Sequence, residues 1–441
     1  MTTTAEPPIP SPPPDPASAL PRLNRFDASF MARAYDTYDA LREEGRVVRV
    51  ELGTPAQDRD RAFFGKGEAW FVTGYDDVVA YLLDDRFSVD LARTMPPGDR
   101  PHGEVPAEIR PIARSIISLD PPDHTRIRKL VQPSFTGRGM EAMRPQIQQT
   151  VDALLDAAEA EAAARGEAPG DRAMELIAQF AYPFPVTVIS DLLGIPLGDR
   201  ARVKGWTEYL LQVDRRGDAA FNDEVRAGLR DFVAYLKDLF ARKRAAPGDD
   251  MISRMVLIED EGDTLTEDEA LATVFLMYLA GHVTTVNLIG NGVVALLTHP
   301  EELAKLQADP DLTKNAVEEV LRYWGPIDFV ARRTALEDMD LAGTPVHAGD
   351  EVAFGLAGAN HDLARFTDPG RFDISRPDAN RHVAFGKGIH VCLGAPLARI
   401  EGRVALETLI RRYPRLRLAD PAAPLQSGAL FRGFRSIPLL C

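Results

Sequence analysis

The sequence predicts a mainly α-helical single domain with a smaller β-rich region. Three observations carry this. Between Met140 and Thr298, apolar residues recur at helical spacing through long Ala- and Glu-rich runs. The last of these runs opens with Thr266-Glu267-Asp268-Glu269, a capping box, and continues to about Thr298 with no proline. After Thr334 the pattern changes to short strands separated by turn residues. No repeat and no linker interrupts the 441 residues, so one large domain is expected where the length alone would allow two or three.

Taken in order, residues 1–22 are proline-rich, with neither a basic start nor an apolar run. They read as a disordered tail, not as a signal peptide or membrane anchor. Tyr35 to Glu44 has the pattern of a short amphipathic helix, Val47 to Leu52 that of a strand, and Trp70 to Thr73 that of its partner. Gly53 to Glu68 between them is charged and reads as a surface loop. Phe87 to about Pro111 is rich in Pro, Gly and Arg without a period, which predicts a long loop, and long loops in compact domains often act as lids. Helices are expected over Met140–Arg165, Phe184–Leu193, Asp199–Val213 and Asp223–Arg244. The helix from Thr266 would span roughly 48 Å at ~1.5 Å per residue, enough to cross the whole molecule. The stretch from Gly428 to Leu440 reads as a hairpin. No run reaches the ~18 uninterrupted apolar residues of a membrane-spanning helix.

The formal charge of −15 argues against nucleic acid as a bulk partner, because phosphate binding needs a basic surface. Two cysteines exclude a disulfide framework and suit a reducing cytoplasm. One of them, Cys441, is the last residue, where fraying disfavours chemistry. The other sits in Phe385-Gly386-Lys387-Gly388-Ile389-His390-Val391-Cys392-Leu393-Gly394, just before a helix with Pro396 in its first turn. Helix N-termini favour a thiolate and offer amides to sulfur. Gly386, Gly388 and Gly394 permit a tight turn and let a large flat group lie against the backbone. A buried structural cysteine is the plain alternative. No Cys-x-x-Cys pair exists for zinc or redox exchange, and a protease nucleophile has no need of three flanking glycines.

This stretch resembles the haem-binding loop of the cytochrome P-450 family at every fixed position, and Leu397 to Glu401 resembles the Leu-Ala-Arg-x-Glu run that follows it. The resemblance implies the cytochrome P-450 fold, with haem b bound through Cys392 as axial thiolate; such a ligand favours O–O cleavage. Phe385 and Gly394 belong to the same cofactor loop. Ala280-Gly281-His282-Val283-Thr284-Thr285 resembles the family's oxygen-binding groove, in which Ala280 and Gly281 make room over the iron and Thr284 hydrogen-bonds dioxygen. Read without the family, the same residues fit a tight helix crossing. Val283 departs from the pattern: the family has an acid there, which valine cannot replace as a proton relay. Glu319 and Arg322 match the family's Glu-x-x-Arg helix, and Arg371 is implied to complete their ion network. His124 and Arg128, with Arg333 and His390, are implied contacts of the two haem propionates, Arg332 being an alternative to Arg333.

The activity implied is insertion of one atom of O2 into a small molecule, by hydroxylation or epoxidation. The electrons would come from NAD(P)H through a reductase and a ferredoxin or flavodoxin. Oxidative coupling, desaturation and a non-catalytic docking module are the alternatives, although a docking module should lose Cys392. A polyketide, macrolide or peptide natural product is the suspected substrate. Pocket walls are expected from 87–111, 184–215, the long helix, Pro326–Val330 and Gly428–Phe431. Arg126, Lys129, Lys387 and Arg399 are expected to form a basic docking patch for the electron donor. Asp328, among apolar neighbours, needs a partner such as Arg332 or a backbone amide, or else meets a cationic or hydroxyl-bearing group of the substrate.

Overall fold

The computed structural model describes residues 20–23, 30, 33–52, 68–95, 110–168, 170, 172–206, 223–260, 262–420 and 431–441. Most of the predicted tail, the loops expected over 53–67 and 96–109, the helix end expected over 207–213 and the segment 421–430 lie outside these residues. So do the side chains of Glu259, Asp260, Ala331 and Arg332.

Strands β1 (Arg22–Leu23), β2 (Val47–Leu52), β3 (Glu68–Val72), β4 (Phe87–Ser88), β6 (Val330–Ala335) and β7 (Glu351–Phe354) form one sheet in the order β1-β2-β3-β7-β6-β4. Arg22, at the end of the expected tail, is already in this sheet and bonds Glu51 at 2.8 Å. Helix α1 (Ala34–Glu44) packs through Tyr38 and Leu41 against one face, with Val50, Phe71 and Phe329. Helix α2 (Tyr75–Leu82) covers the other with Val78 and Leu82.

The expected loop after Phe87 carries β4 and two four-residue helices, Leu91–Thr94 and Arg110–Ala113. Elements this short show no period in sequence. Helix α3 (Asp123–Val131) follows and leads to the helical half of the molecule. The helix expected over Met140–Arg165 is broken at Met143, where Gly137–Ala142 ends and α4 (Arg144–Ala164) begins with Pro145 in its first turn. Strand β5 (Ala173–Glu175) and a π-turn lead to α5 (Pro183–Leu193), which stops at Gly194 in the left-handed region (φ 75°). Beyond α6 (Asp223–Ala245) lies α7 (Glu267–Thr298), whose 32 residues begin with the capping box read from the sequence.

Helix α7 runs through the main core and packs on α5, α8 (Thr313–Trp324) and α9 (Ala395–Arg412). Among the described residues it alone is long and apolar enough to cross a membrane, yet 61% of its most apolar window is buried inside the fold.

Among the described residues, the C-terminal stretch forms no hairpin. Strand β9 (Pro438–Leu440) lies between β8 (Arg417–Leu418) and β5, so its partners come from elsewhere in the chain. Cys441 is buried beside β5 and its backbone pairs with Arg172; it does not fray.

Candidate active site

The cysteine loop is shaped by two glycines in the left-handed region, Gly386 (φ 69°) and Gly388 (φ 73°). A Cβ on Gly388 would fall 2.6 Å from the Leu82 carbonyl oxygen, so no other residue fits there without displacing α2. The chain then turns once through Gly388–His390, and the Cys392 N–H donates to the Phe385 carbonyl at 2.9 Å. Gly394 has an ordinary φ of −81°, but a Cβ added to it would meet no protein atom within 4 Å. The backbone is therefore bare on that side, as a flat ligand requires.

Cys392 is accessible, and its sulfur lies close to the N–H groups of Gly394 and Ala395 at the start of α9. Burial by the surrounding protein raises its thiol pKa, and these amides together with the Arg128 and Arg399 cations oppose the rise without cancelling it. The helix-start effect expected from sequence is present but is outweighed by desolvation. A coordinated metal cation would deprotonate such a thiol outright.

Two elements bring basic side chains to this loop. From α3, Arg128 donates to the Val391 carbonyl at 2.8 Å, and the His124 ring stands 4.4 Å from that of His390. From β6, Arg333 is buried and is felt electrostatically by both histidines. Arg333 Nε and His390 Nε2 are buried without a hydrogen-bond partner. Neither ring nitrogen of His124 has a well-formed one, the Ile389 backbone offering a marginal contact.

Burial holds Arg333 down to about 10. Burial, then Arg333, His124 and Arg128, hold His390 down to about 3. Asp120, the nearby carboxylate, is already engaged by Ser88 at 2.5 Å and Arg93 at 3.4 Å. Buried donors without acceptors cost stability unless something satisfies them. A dianionic group such as a pair of propionates fits this set.

The opposite wall comes from α7. Residues 270–274 and 285–296 are buried, but Leu276, Leu279, Ala280, Val283 and Thr284 form an accessible stripe at helical spacing, with Ala280 the most open. Thr284 Oγ1 donates to the Ala280 carbonyl at 2.8 Å and Thr285 Oγ1 to that of Gly281 at 3.2 Å, which loosens this turn. A Cβ on Gly281 would meet Ile189 of α5 at 3.2 Å, so its small size also serves the helix crossing. His282 is on neither the open face nor the outside. It is buried between Tyr278 and Tyr182, Nδ1 donating to the Tyr278 carbonyl at 2.6 Å, and burial holds it down to about 4.

Sequence reasoning assigned no role to Glu401. From α9 its carboxyl reaches Thr285 Oγ1 at 3.4 Å. It is fully enclosed, and desolvation drives its pKa well above the ordinary carboxylate value. The Glu401 carboxyl, the Thr285 hydroxyl and the Gly281 carbonyl thus lie together beneath the loosened turn, near the position where Val283 supplies no acid.

Three other expectations meet the structure as follows. Arg371 does not complete the Glu319–Arg322 network: its side chain is exposed and 3.8 Å from Asp373. Arg376 takes that place, donating to Glu319 at 3.2 Å, while Arg371 contributes its carbonyl to both Arg322 and Arg376. Asp328 pairs with Arg432 at 2.9 Å, both buried, so its carboxylate faces a cation of this chain; the expected partner Arg332 has its side chain outside the described residues. Of the expected docking cations, Arg126 is bonded to Glu269 and Arg399 to Glu318, and Lys129 and Lys387 are exposed.

The sequence profile described as Cytochrome P450 matches residues 61–422. The chain is 40% identical over 440 residues to the cytochrome P450 monooxygenase PikC of Streptomyces venezuelae, which covers 99% of this chain and 95% of PikC. It is 36% identical over 423 residues to 6-deoxyerythronolide B hydroxylase of Saccharopolyspora erythraea, covering 93% of this chain and 96% of that enzyme. The solved structure of the bacillaene polyketide synthase cytochrome P450 PksS of Bacillus subtilis superposes with a TM-score of 0.82 at 34% identity, over 95% of this chain and 99% of PksS. With likeness of this extent in both sequence and fold, the chain belongs to the cytochrome P450 family of monooxygenases, which work with a haem-thiolate iron, dioxygen and NAD(P)H electrons passed through redox partners.

Proposed function

We propose that this chain holds haem b through Cys392, with Arg128, Arg333, His124 and His390 receiving the propionates, and oxidises a polyketide or macrolide in the bacterial cytoplasm. The observation that carries the site is the set of buried donors without partners, His124, Arg333 and His390, beside an accessible cysteine. The substrate class rests on the relatives: a bacillaene polyketide synthase cytochrome P450 and a 6-deoxyerythronolide B hydroxylase both match over most of their length. Thiolate-ligated haem supplies the activation of dioxygen when bound.

The chain's own residues then have separable tasks. Ala280 keeps the helix low over the site, while Leu276, Leu279 and Val283 present an apolar wall to the substrate. Thr284 offers a hydroxyl on the open face. Glu401 places a carboxyl 3.4 Å from Thr285 Oγ1, where the two groups can exchange a proton beside the opened turn at Gly281. This buried acid replaces the carboxylate that Val283 lacks. Electrons arrive singly from a ferredoxin or flavodoxin served by a reductase.

Carbon monoxide difference spectra of the reduced protein test the ligation: wild type gives the band of thiolate-ligated haem and Cys392→Ser loses it. Turnover of macrolide panels under isotopically labelled dioxygen tests the reaction. One labelled oxygen in the product is expected; loss of two hydrogens without label would assign desaturation or coupling instead.

A further inference from the structure

The lower side of the cysteine loop carries a charged assembly with no part in the roles above. Glu318, on α8, accepts three hydrogen bonds: Arg399 Nε at 2.6 Å, Arg399 Nη2 at 2.9 Å and His382 Nε2 at 3.1 Å. The tautomer of His382 follows from its other nitrogen. Nδ1 accepts from the Ala384 N–H at 3.1 Å, so the ring proton is on Nε2 and points at Glu318. His382 is thus a neutral, fixed donor, and burial keeps it from charging. Glu318 stays ionised, its pKa held at about 2 by His382 and Arg399 against the cost of burial.

The two-pronged grip fixes the plane of the Arg399 guanidinium. That plane lies over the Phe385 ring, Cζ 4.6 Å from its centroid. Phe385 in turn accepts the Cys392 N–H. Arg399 also lies on the first turns of α9, where helical side chains lean back toward the N-terminus and the sulfur.

We propose that Glu318, fixed by His382, is a positioning residue that holds the Arg399 cation on Phe385, and that this held charge sets the reduction potential of the haem iron bound at Cys392. The inference rests on Cys392 being the axial ligand. The physical reason is simple. Accepting an electron makes the iron–thiolate centre more negative by one charge, and a fixed cation beside the sulfur stabilises that state. The carboxylate of Glu318 partly offsets the cation, so the two partners influence the potential with opposite signs.

The test is spectroelectrochemical titration of the haem-loaded wild type, Arg399→Gln, Arg399→Lys and Glu318→Gln. Arg399→Gln is expected to disfavour reduction about threefold, roughly 28 mV at ~59 mV per tenfold for one electron. Arg399→Lys should recover most of that loss. Glu318→Gln, which leaves the cation uncompensated, should shift the potential the other way. General loosening of the loop would move both neutral variants in one direction, and a purely structural salt bridge would move neither; either result overturns the proposal. Failure of Arg399→Lys to recover overturns the role given to charge. Absence of the thiolate band from wild type would remove the ligation reading itself, which is distinct from any pattern among the variants.

Discussion

Arg376→Met and Arg371→Met should differ sharply, because the structure gives the two arginines unequal work. Arg376 is buried and makes four hydrogen bonds: to Glu319 at 3.2 Å, the Thr367 carbonyl at 2.7 Å, the Asp368 carbonyl at 3.0 Å and the Arg371 carbonyl at 2.9 Å. Removing the guanidinium weakens the compensation of a fully buried carboxylate and strips donors from three carbonyls. Breaking a buried ion pair costs about 3–5 kcal/mol. Arg322 still grips Glu319 at 2.7 and 2.8 Å, which argues for the lower half of that range, about 3–4 kcal/mol. Domains are stable by only about 5–15 kcal/mol, so a loss of this size is large.

Arg371 has an exposed side chain and a long contact to Asp373, worth at most ~0.5 kcal/mol. Its contribution is a backbone carbonyl, which Met retains. Guanidinium unfolding of the haem-loaded proteins, followed by far-UV circular dichroism, measures both differences. Equal midpoints for the two variants, or a larger loss for Arg371→Met, would refute the assignment.

Glu401→Gln keeps the shape and hydrogen-bonding capacity of the side chain but cannot give up a proton. It should lower product formation about 10²-fold, with NADPH consumption diverted to peroxide, while Val283→Glu in that background should recover part of the coupling. Unchanged coupling in both would place the proton route elsewhere. His282 and His361 are held by burial at about 4 and about 3, below the ordinary value of ~6.5. The unfolded chain therefore takes up protons first, so their contribution to stability is complete above about pH 6.5 and is lost as pH falls toward 4 and 3. At pH 5 the two together should cost about 4 kcal/mol relative to pH 7, read as a drop in denaturant midpoint; a flat profile over that range would contradict their burial as neutral rings. Asp328→Asn leaves Arg432 buried without its counter-charge and should cost about 3–5 kcal/mol, with substrate affinity of the folded fraction unaltered. Lower affinity at full stability would instead place Asp328 against the substrate.

What could be read from the sequence was what is local in it. The cysteine loop occupies ten consecutive residues whose glycines announce their backbone angles, and α7 announces its start through Thr266 and Glu269. Glu319 and Arg322 share a helix face by spacing alone. The choice between Arg371 and Arg376 as third member is not local. It depends on which side chain enters the core from a turn where Asp368 adopts a φ of 49°, and the two arginines differ little in sequence context. Asp328 and Arg432 are 104 positions apart, and no pattern near either points to the other. Glu401 belonged to a recognisable run, but its pKa depends on total enclosure, which only packing reveals. The misread C-terminal hairpin has the same origin: β9 carries a strand's composition, and its neighbour β5 lies in a distant part of the chain.

The Asp328–Arg432 pair has a bearing on how the molecule comes apart. Arg432 also lies 4.6 Å over the Tyr35 ring, the Tyr35 hydroxyl donates to the Tyr323 carbonyl at 2.6 Å, and the Arg432 N–H donates to that of Pro326 at 2.8 Å. The first helix, the segment after α8 and the final strand region are therefore fastened at one buried point. The C-terminal segment cannot peel away without stranding Asp328 in the interior, and loss of the first helix would uncover the pair. Amide hydrogens near Tyr35 and near Arg432 should accordingly exchange together, at the rate of a shared opening, although they sit at opposite ends of the chain.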